Sequence, residues 1–161
     1  MGEPSREIER KFLVNPRAWQ NRAPGVRFRQ GYLSTDPDRT VRVRLEGDVG
    51  KLTIKGRKVG ATAIEYEYDV PADDVEQLLA TLCQQPILEK TRHTESGPDG
   101  MEWVVDVFHG DNQGLVVAEI ELDAEDQPFE KPEWVGAEVT EDPAYSNARL
   151  SQRPFGSWEQ G

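Results

Sequence analysis

Charged and apolar residues alternate along eight segments of this chain, and this alternation limits the folds it can adopt. The clearest case is EIERKFLV, residues 7–14, in which Glu7, Glu9 and Lys11 occupy every second position. Successive side chains of a β-strand point to opposite faces. These three charges would therefore share one face of a strand. A row of charges on one face requires interacting groups on the surface that it faces.

The other segments show the same period of two. Together, the eight predicted strands cover roughly residues 5–13, 26–34, 40–46, 50–56, 63–70, 87–94, 102–109 and 114–122. Turn-forming residues, such as Gly47-Asp48-Val49-Gly50, separate neighbouring segments. Short connections of this kind predict antiparallel pairing between neighbours.

Helix signals occur at three places. Asn15 followed by Pro16 is an N-cap with proline at the first helical position, which predicts a short helix. A second helix is predicted over residues 72–85 and a third over residues 142–152. The apolar stripe of the second helix would consist of Val75, Leu78, Leu79 and Leu82.

Two further segments lack a regular period. Residues 124–138 are acidic and interrupted by proline, so they are predicted to form a covering loop. The tail after Pro154 is predicted to pack loosely.

A solvated sheet face would explain any one charged row, because antiparallel sheets commonly expose one polar face. Eight such rows together favour closure, since a sheet of this size curls and a closed barrel has no open edges. An eight-stranded barrel is wide enough inside for one small ligand. We therefore predict a mainly β protein of the α+β class: a closed eight-stranded antiparallel barrel with a few covering helices, as a single domain over residues 1–161.

The charges predicted to face the lumen suit a polyanion that carries a metal ion. The cations would bind phosphate oxygens, arginine through its planar fork and lysine as a point charge; they are Lys11, Arg42, Arg44, Lys55, Lys90 and Arg92. The carboxylates would repel a polyphosphate unless a hard cation lay between them; they are Glu7, Glu9, Glu65, Glu67, Asp106, Glu119 and Glu121.

Composition narrows the partners and the compartment. The net charge of −11 disfavours nucleic acid as a partner. No long apolar run and no leader segment is evident, so neither membrane insertion nor export is expected. A single cysteine, Cys83, excludes an internal disulfide and agrees with the cytoplasm.

An ordered set of short motifs resembles the CYTH superfamily, the triphosphate tunnel metalloenzymes. EIERKFLV is similar to the Glu-x-Glu-x-Lys signature of that family. The motifs that follow, over nearly the whole chain, are RVR at 42–44, TIK at 53–55, EYE at 65–67, EKTR at 89–92, VDVF at 105–108, EIE at 119–121 and DPAYSNARL at 142–150. Short bacterial members that contain ERKFLV and RQGYL are the most similar.

The resemblance implies a closed barrel whose tunnel binds triphosphate with Mg²⁺ or Mn²⁺. It implies hydrolysis of inorganic tripolyphosphate to pyrophosphate and phosphate. Metal would be held by Glu7, Glu9, Glu119 and Glu121. Catalytic roles would fall to Glu7, Glu9, Lys11, Glu65, Glu67 and Asp106, and phosphate binding to the six cations above. Tyr32, in RQGYL, would line or gate the tunnel, and the helix of YSNARL would close one mouth.

Several alternatives stay open from the sequence. The substrate could be thiamine triphosphate or a nucleoside triphosphate, the latter in a class IV-type adenylate cyclase. A non-catalytic polyphosphate-binding module is a further alternative. A homodimer is also predicted, because a polar lumen turns apolar residues such as Val41, Val43 and Ile120 outward.

Overall fold

A computed structural model describes residues 5–20 and 23–158 of the chain. All eight predicted strands are present, with bounds close to those expected. They are β1 Ser5–Val14, β2 Val26–Asp36, β3 Arg39–Glu46, β4 Val49–Gly56, β5 Thr62–Val70, β6 Leu88–Ser96, β7 Glu102–Phe108 and β8 Val116–Leu122. A ninth strand, β9, spans Val135–Glu138.

The eight strands close into an antiparallel barrel. The order of hydrogen-bonded neighbours is β5-β4-β3-β2-β6-β7-β8-β1, and β1 pairs back onto β5. The predicted closed barrel is therefore confirmed. Because strand side chains alternate, each strand contributes one row to the lumen and one row to the exterior.

Strand β1 divides one of its edges between two partners. Residues from Ser5 to Ile8 pair with β5, whereas Phe12 and Val14 pair with β9. The other edge pairs with β8 from Ile8 to Leu13. The prediction of an irregular loop over residues 124–138 was wrong at its end, because 135–138 add a strand to this free half of β1.

Helix α1, Ala72–Thr81, covers the exterior of β3 and β4. Val75 and Leu79 are buried against Val43 and Leu45. The helix ends earlier than residue 85, and Leu82 is 68% exposed at its C-cap, so Leu82 does not belong to the apolar stripe. The chain turns there because the backbone N–H of Gln84 donates to the carbonyl of Tyr32, which ties the helix end to β2.

The exterior of β1, β7 and β8 is covered by aromatic residues. Phe12 packs against Trp103 and Phe129, with ring centroids 5.5 and 6.0 Å apart. Ile120 is 1% exposed in this cluster, and Val43 is fully buried under α1. These two residues therefore offer no surface to a second subunit, although the prediction of a dimer relied on their being exposed on the exterior. Exposed apolar side chains lie instead on β4 and β5, at Ile54, Ile64, Tyr66 and Tyr68.

The C-terminal segment crosses one mouth of the barrel in two pieces. A short 3₁₀ turn spans Pro143–Tyr145, and helix α2 spans Asn147–Gln152, where a single helix was predicted. The two pieces separate because Ser146 caps α2 by accepting from the backbone N–H of Arg149. Leu150 is fully buried between them and the barrel.

Two other expectations were wrong. The chain after Asn15 forms one turn, in which the N–H groups of Ala18 and Trp19 both bond to the Asn15 carbonyl, and no helix forms over the described residues 15–20. The tail after Pro154 is not loose up to Trp158: Phe155 and Trp158 join the cluster around Leu150. Within the described residues, no helix is long and apolar enough to cross a membrane.

Candidate active site

The barrel encloses a cavity of about 1100 Å³ that contains the predicted charges. Every candidate site residue except Asp106 lines it. The lining members of that set are Glu7, Glu9, Lys11, Tyr32, Arg42, Arg44, Lys55, Glu65, Glu67, Lys90, Arg92, Glu119 and Glu121. The alternation of each strand therefore identified the lumen face correctly.

Glu7 lies between a cation and a second carboxyl group. Its Oε1 accepts a hydrogen bond from Lys55 Nζ at 2.7 Å. Burial raises the pKa of Glu7, but a hydrogen bond with Glu65 and the charge of Lys55 lower it to about 2. Burial and the hydrogen bond with Glu7 raise the pKa of Glu65 to about 8. At neutral pH the pair is thus one carboxylate and one carboxylic acid.

Glu9 and Glu119 form a second carboxyl pair. Burial and the charge of Glu119 raise the pKa of Glu9 well above its ordinary value. Burial acts on Glu119 in the same direction, but the hydrogen bond with Glu9 and the charge of Lys11 hold the pKa of Glu119 well below its ordinary value. Arg92 Nη2 lies 3.7 Å from Glu119, on the ionised side of the pair. The two pKa values are thus shifted in opposite directions, upward at Glu9 and downward at Glu119.

Strand β3 places two guanidinium groups in the lumen. Arg42 Nη2 donates to Thr53 Oγ1 at 3.2 Å, and Arg44 Nη2 lies 2.6 Å from Glu46 Oε2. Burial and the charge of Arg42 lower the pKa of Arg44 to about 10. Arg44 therefore stays charged at neutral pH, and each guanidinium group keeps N–H donors that the protein does not use.

Asp106 lies behind two cations of β6. Its Oδ2 lies 2.8 Å from Lys90 Nζ. Its two carboxylate oxygens also accept hydrogen bonds from Nε and Nη2 of Arg92, at 2.8 and 2.9 Å. Its side chain is 1% exposed, as is that of Lys90. The sequence predicts a catalytic role for Asp106, but Asp106 is not among the residues that line the cavity, and its carboxylate contacts Lys90 and Arg92, which do line it.

The mouth next to α2 carries residues that the sequence did not single out. Lys58, in the loop between β4 and β5, donates to the Thr140 carbonyl at 3.1 Å. Lys11, which the sequence did predict, donates to the Tyr145 carbonyl at 3.1 Å near the same mouth. Arg149 also lines the cavity. The resemblance to YSNARL was the only signal for Arg149, and Lys58 lies in a glycine-bounded loop without a period.

The carboxyl groups fit a hard divalent cation in their chemistry. Within residues 5–20 and 23–158, no three His, Cys, Asp or Glu side chains are already arranged as an ion-binding cluster. However, the half-buried Glu9 and the buried Glu119 both line the lumen, and carboxylate oxygens are the donors that Mg²⁺ and Mn²⁺ prefer. A divalent cation bound there would neutralise both carboxylates at once.

The fold and the lumen together define a class of protein: closed antiparallel barrels whose tunnel holds cations on one wall and carboxyls on another. The chain belongs to the CYTH family, since residues 5–154 match the CYTH domain.

Two curated relatives extend over nearly the whole chain. An inorganic triphosphatase from Acetivibrio thermocellus is 44% identical over 155 residues, which cover 96% of this chain and 99% of the relative. An inorganic triphosphatase from Nitrosomonas europaea is 38% identical over 148 residues, covering 90% and 96%.

Solved structures agree on the fold. The crystal structure of the inorganic triphosphatase NE1496 superposes with a TM-score of 0.63 at 37% identity, covering 89% of this chain and 96% of that one. A protein from Hippeastrum, described as a putative adenylyl cyclase with a dominant triphosphatase activity, has a TM-score of 0.53 at 11% identity, covering 74% and 80%. That second likeness concerns the fold alone.

Proposed function

We propose that this protein hydrolyses inorganic tripolyphosphate to pyrophosphate and phosphate with Mg²⁺ or Mn²⁺. The observation that carries the proposal is the closed lumen, in which Arg42, Arg44, Lys90 and Arg92 share one cavity with Glu9 and Glu119. The two curated relatives above, both inorganic triphosphatases, support it.

The cations of the lumen bind the substrate in this proposal. Arg42 and Arg44 direct guanidinium donors at phosphate oxygens, and Lys55, Lys90, Arg92 and Lys11 add ammonium and guanidinium charge around the chain of phosphates. Asp106 fixes Lys90 and Arg92 from behind. Positioning and charge neutralisation are the main contributions that a protein makes to phosphoryl transfer.

The carboxylates would hold the metal and orient the attacking water. Glu7, Glu9, Glu119 and Glu121 would be the metal donors, and a bound cation would supply charge neutralisation to the phosphate oxygens. Glu65 and Glu67 face the same cavity, and in this proposal they orient a water molecule toward the terminal phosphorus. As the new oxygen–phosphorus bond forms, the bond between that phosphorus and the bridging oxygen breaks, pyrophosphate leaves with the bridging oxygen, and the proton that the water loses passes to the leaving pyrophosphate.

The lining of the cavity favours an inorganic chain over a nucleotide. Of the described residues that line it, Tyr32 is the only aromatic one, and Tyr32 is 5% exposed. A nucleobase would find almost no ring face on which to stack. We propose that Tyr32 gates the lumen, which it lines; its hydroxyl accepts a hydrogen bond from Gln30 Nε2 at 3.4 Å.

Phosphate release tests the proposal. Purified protein is given tripolyphosphate, ATP or thiamine triphosphate, each with Mg²⁺, with Mn²⁺ and with EDTA. We expect metal-dependent release that is fastest with tripolyphosphate. Cyclic AMP from ATP would identify a cyclase, faster turnover of thiamine triphosphate a thiamine triphosphatase, and tight binding without turnover a polyphosphate-binding module.

We also propose that residues 1–161 form a single domain. The protein would act in the cytoplasm, without nucleic acid or membrane partners. Two copies would associate through the exterior of β4 and β5, where Ile54, Tyr66 and Tyr68 are exposed. Sedimentation of the wild type and of Tyr66→Lys tests this association; a monomer at micromolar concentration would contradict it.

A further inference from the structure

Asn147 joins helix α2 to the wall of the lumen. Its Oδ1 accepts a hydrogen bond from Lys90 Nζ at 3.0 Å and another from Gln30 Nε2 at 3.3 Å. Gln30 is fully buried on β2 and Lys90 is 1% exposed on β6. One half-buried amide oxygen at the mouth is therefore bonded to two buried side chains of the barrel.

Lys90 depends on this acceptor for its orientation. An ammonium group has three donors and no acceptor. Asp106 Oδ2 takes one donor at 2.8 Å, and Asn147 takes a second. The rings of Phe28 and Phe108 lie 6.0 and 5.6 Å from the same nitrogen and provide no conventional acceptor. Two fixed bonds thus leave one N–H of Lys90 for a ligand in the cavity.

We infer that Asn147 is a positioning residue that directs the free N–H of Lys90 at a substrate phosphate and so links the seating of α2 to phosphate binding. The choice of tripolyphosphate as the ligand rests on the proposed function. The effect of Asn147 passes through Lys90. It is therefore separable from any direct contribution of α2 to the site.

Other contacts hold α2 in place without Asn147. Leu150 is fully buried and packs in one cluster with Leu88 and Phe108. Gln152 Nε2 donates to Thr35 Oγ1 on β2 at 2.9 Å. Loss of the Asn147 amide should therefore leave the helix docked, which makes the inference testable by substitution.

A double-mutant cycle provides the first test. Asn147→Leu keeps the size of the side chain and removes the acceptor. We expect the Kd for a non-hydrolysable tripolyphosphate analogue with methylene bridges, measured by calorimetry with Mg²⁺ present, to rise about tenfold. In the Lys90→Met background the same change should have no further effect. Gln152→Leu is the matched control: it removes a different bond between α2 and the barrel and should leave the Kd within about twofold.

Three different results would contradict the proposed role of Asn147. A wild-type Kd in Asn147→Leu would overturn the inference. An equal rise in the wild-type and Lys90→Met backgrounds would also overturn it, because Asn147 would then act independently of Lys90. A rise in Gln152→Leu equal to that in Asn147→Leu would show that docking of α2, and not orientation of Lys90, determines the affinity.

A second measurement needs no substrate. In the ligand-free protein at pH 6, the ammonium signal of Lys90, assigned by its loss in Lys90→Met, should be sharp in the wild type and in Gln152→Leu and broadened in Asn147→Leu. An unchanged signal in Asn147→Leu would overturn the inference. If this signal responds but the wild type neither binds nor hydrolyses tripolyphosphate, the proposed function fails while the positioning role of Asn147 stands.

Discussion

Glu9 and Glu119 form a pair of carboxyls in the lumen whose pKa values are shifted in opposite directions, upward at Glu9 and downward at Glu119. Burial and the charge of Glu119 raise the pKa of Glu9, whereas the hydrogen bond with Glu9 and the charges of Lys11 and Arg92 lower the pKa of Glu119 against the effect of burial. The two glutamates therefore differ in their affinity for a proton. A substitution should therefore have different consequences at the two positions.

Glu9→Gln should separate metal binding from folding. Glutamine has the shape of the protonated acid and can still donate to Glu119, so the melting temperature of the metal-free protein should hold. The rise in melting temperature on adding Mg²⁺ or Mn²⁺ with tripolyphosphate should be lost, and turnover should fall roughly a hundredfold or more, because the carboxylate available for the metal is gone.

Two further substitutions complete that experiment: Glu119→Gln, at the other member of the pair, and Glu102→Gln, on the exterior. Glu119→Gln removes the ionised member and should lower the melting temperature of the metal-free protein as well. Glu102→Gln, at an exposed position of β7, should change neither property. If metal-dependent turnover survives in Glu9→Gln, Glu9 is not a metal donor.

Arg42→Ala should weaken substrate binding without unfolding the barrel. Arg42 lines the cavity and makes one hydrogen bond to another described residue, from Nη2 to Thr53 Oγ1, so other donors of this guanidinium remain for a phosphate. A charge-assisted hydrogen bond is worth about 1.5–3 kcal/mol, which corresponds to roughly a ten- to hundredfold rise in KM for tripolyphosphate. Arg27→Ala, which removes an exterior arginine that pairs with Glu89, is the control. Equal KM values for the two variants would place Arg42 outside the binding site.

Asp106→Asn should be costly for stability. Removal of this charge leaves the buried Lys90 and the half-buried Arg92 with no compensating carboxylate at 2.8 Å, and breaking a buried pair such as Lys90–Asp106 typically costs about 3–5 kcal/mol. Denaturant unfolding would measure the loss. Asp38→Asn breaks an exposed pair with Arg57 and should have little effect. Two variants of equal stability would mean that the buried triad contributes nothing.

The affinity for tripolyphosphate should fall as the pH rises above about 7. Burial lowers the pKa of Lys90 to about 7, so in the free protein its amine loses its proton above that pH. A bound phosphate favours the ammonium form and raises this pKa, so binding takes up a proton. Affinity is then highest below pH 7 and declines by up to about tenfold per pH unit above it. Lys90→Met should lose this part of the pH dependence, and identical profiles for the two proteins would refute it.

The lumen was predictable from the sequence because its determinants are local. The period of two along a strand fixes which side chains share a face, so the lumen positions of Arg42, Lys55 and Glu119 followed once the barrel was inferred. The depth of a side chain was not predictable in this way. Asp106 shares the charged face of β7, but it lies behind cations supplied by the register of β6, where Arg92 is directly opposite.

The periodicity of the sequence predicted the elements that cover the barrel less accurately than the barrel strands. Leu82 continues the spacing of the α1 stripe, but the helix ends before it. Cys83 packs there against Gly31 of β2, where an added Cβ would lie 2.8 Å from the Cys83 Cβ. Strand β9 was missed because its pairing depends on an edge of β1 that β5 leaves free. Lys58 and Asn147 lie in a loop and at a helix start, where no period indicates a facing surface.

The divided edge of β1 determines when in synthesis the barrel can exist. β1 emerges first from the ribosome, but Ile8 must find Leu122, near the end of β8, and Ala63 of β5 must find Glu7. Until both partners are available, the charged row of β1 has no opposite wall and Phe12 has no cover. Contacts so distant along the chain form late and slowly. The lumen is therefore complete only after β8 has been synthesised and β1 has paired with both β5 and β8.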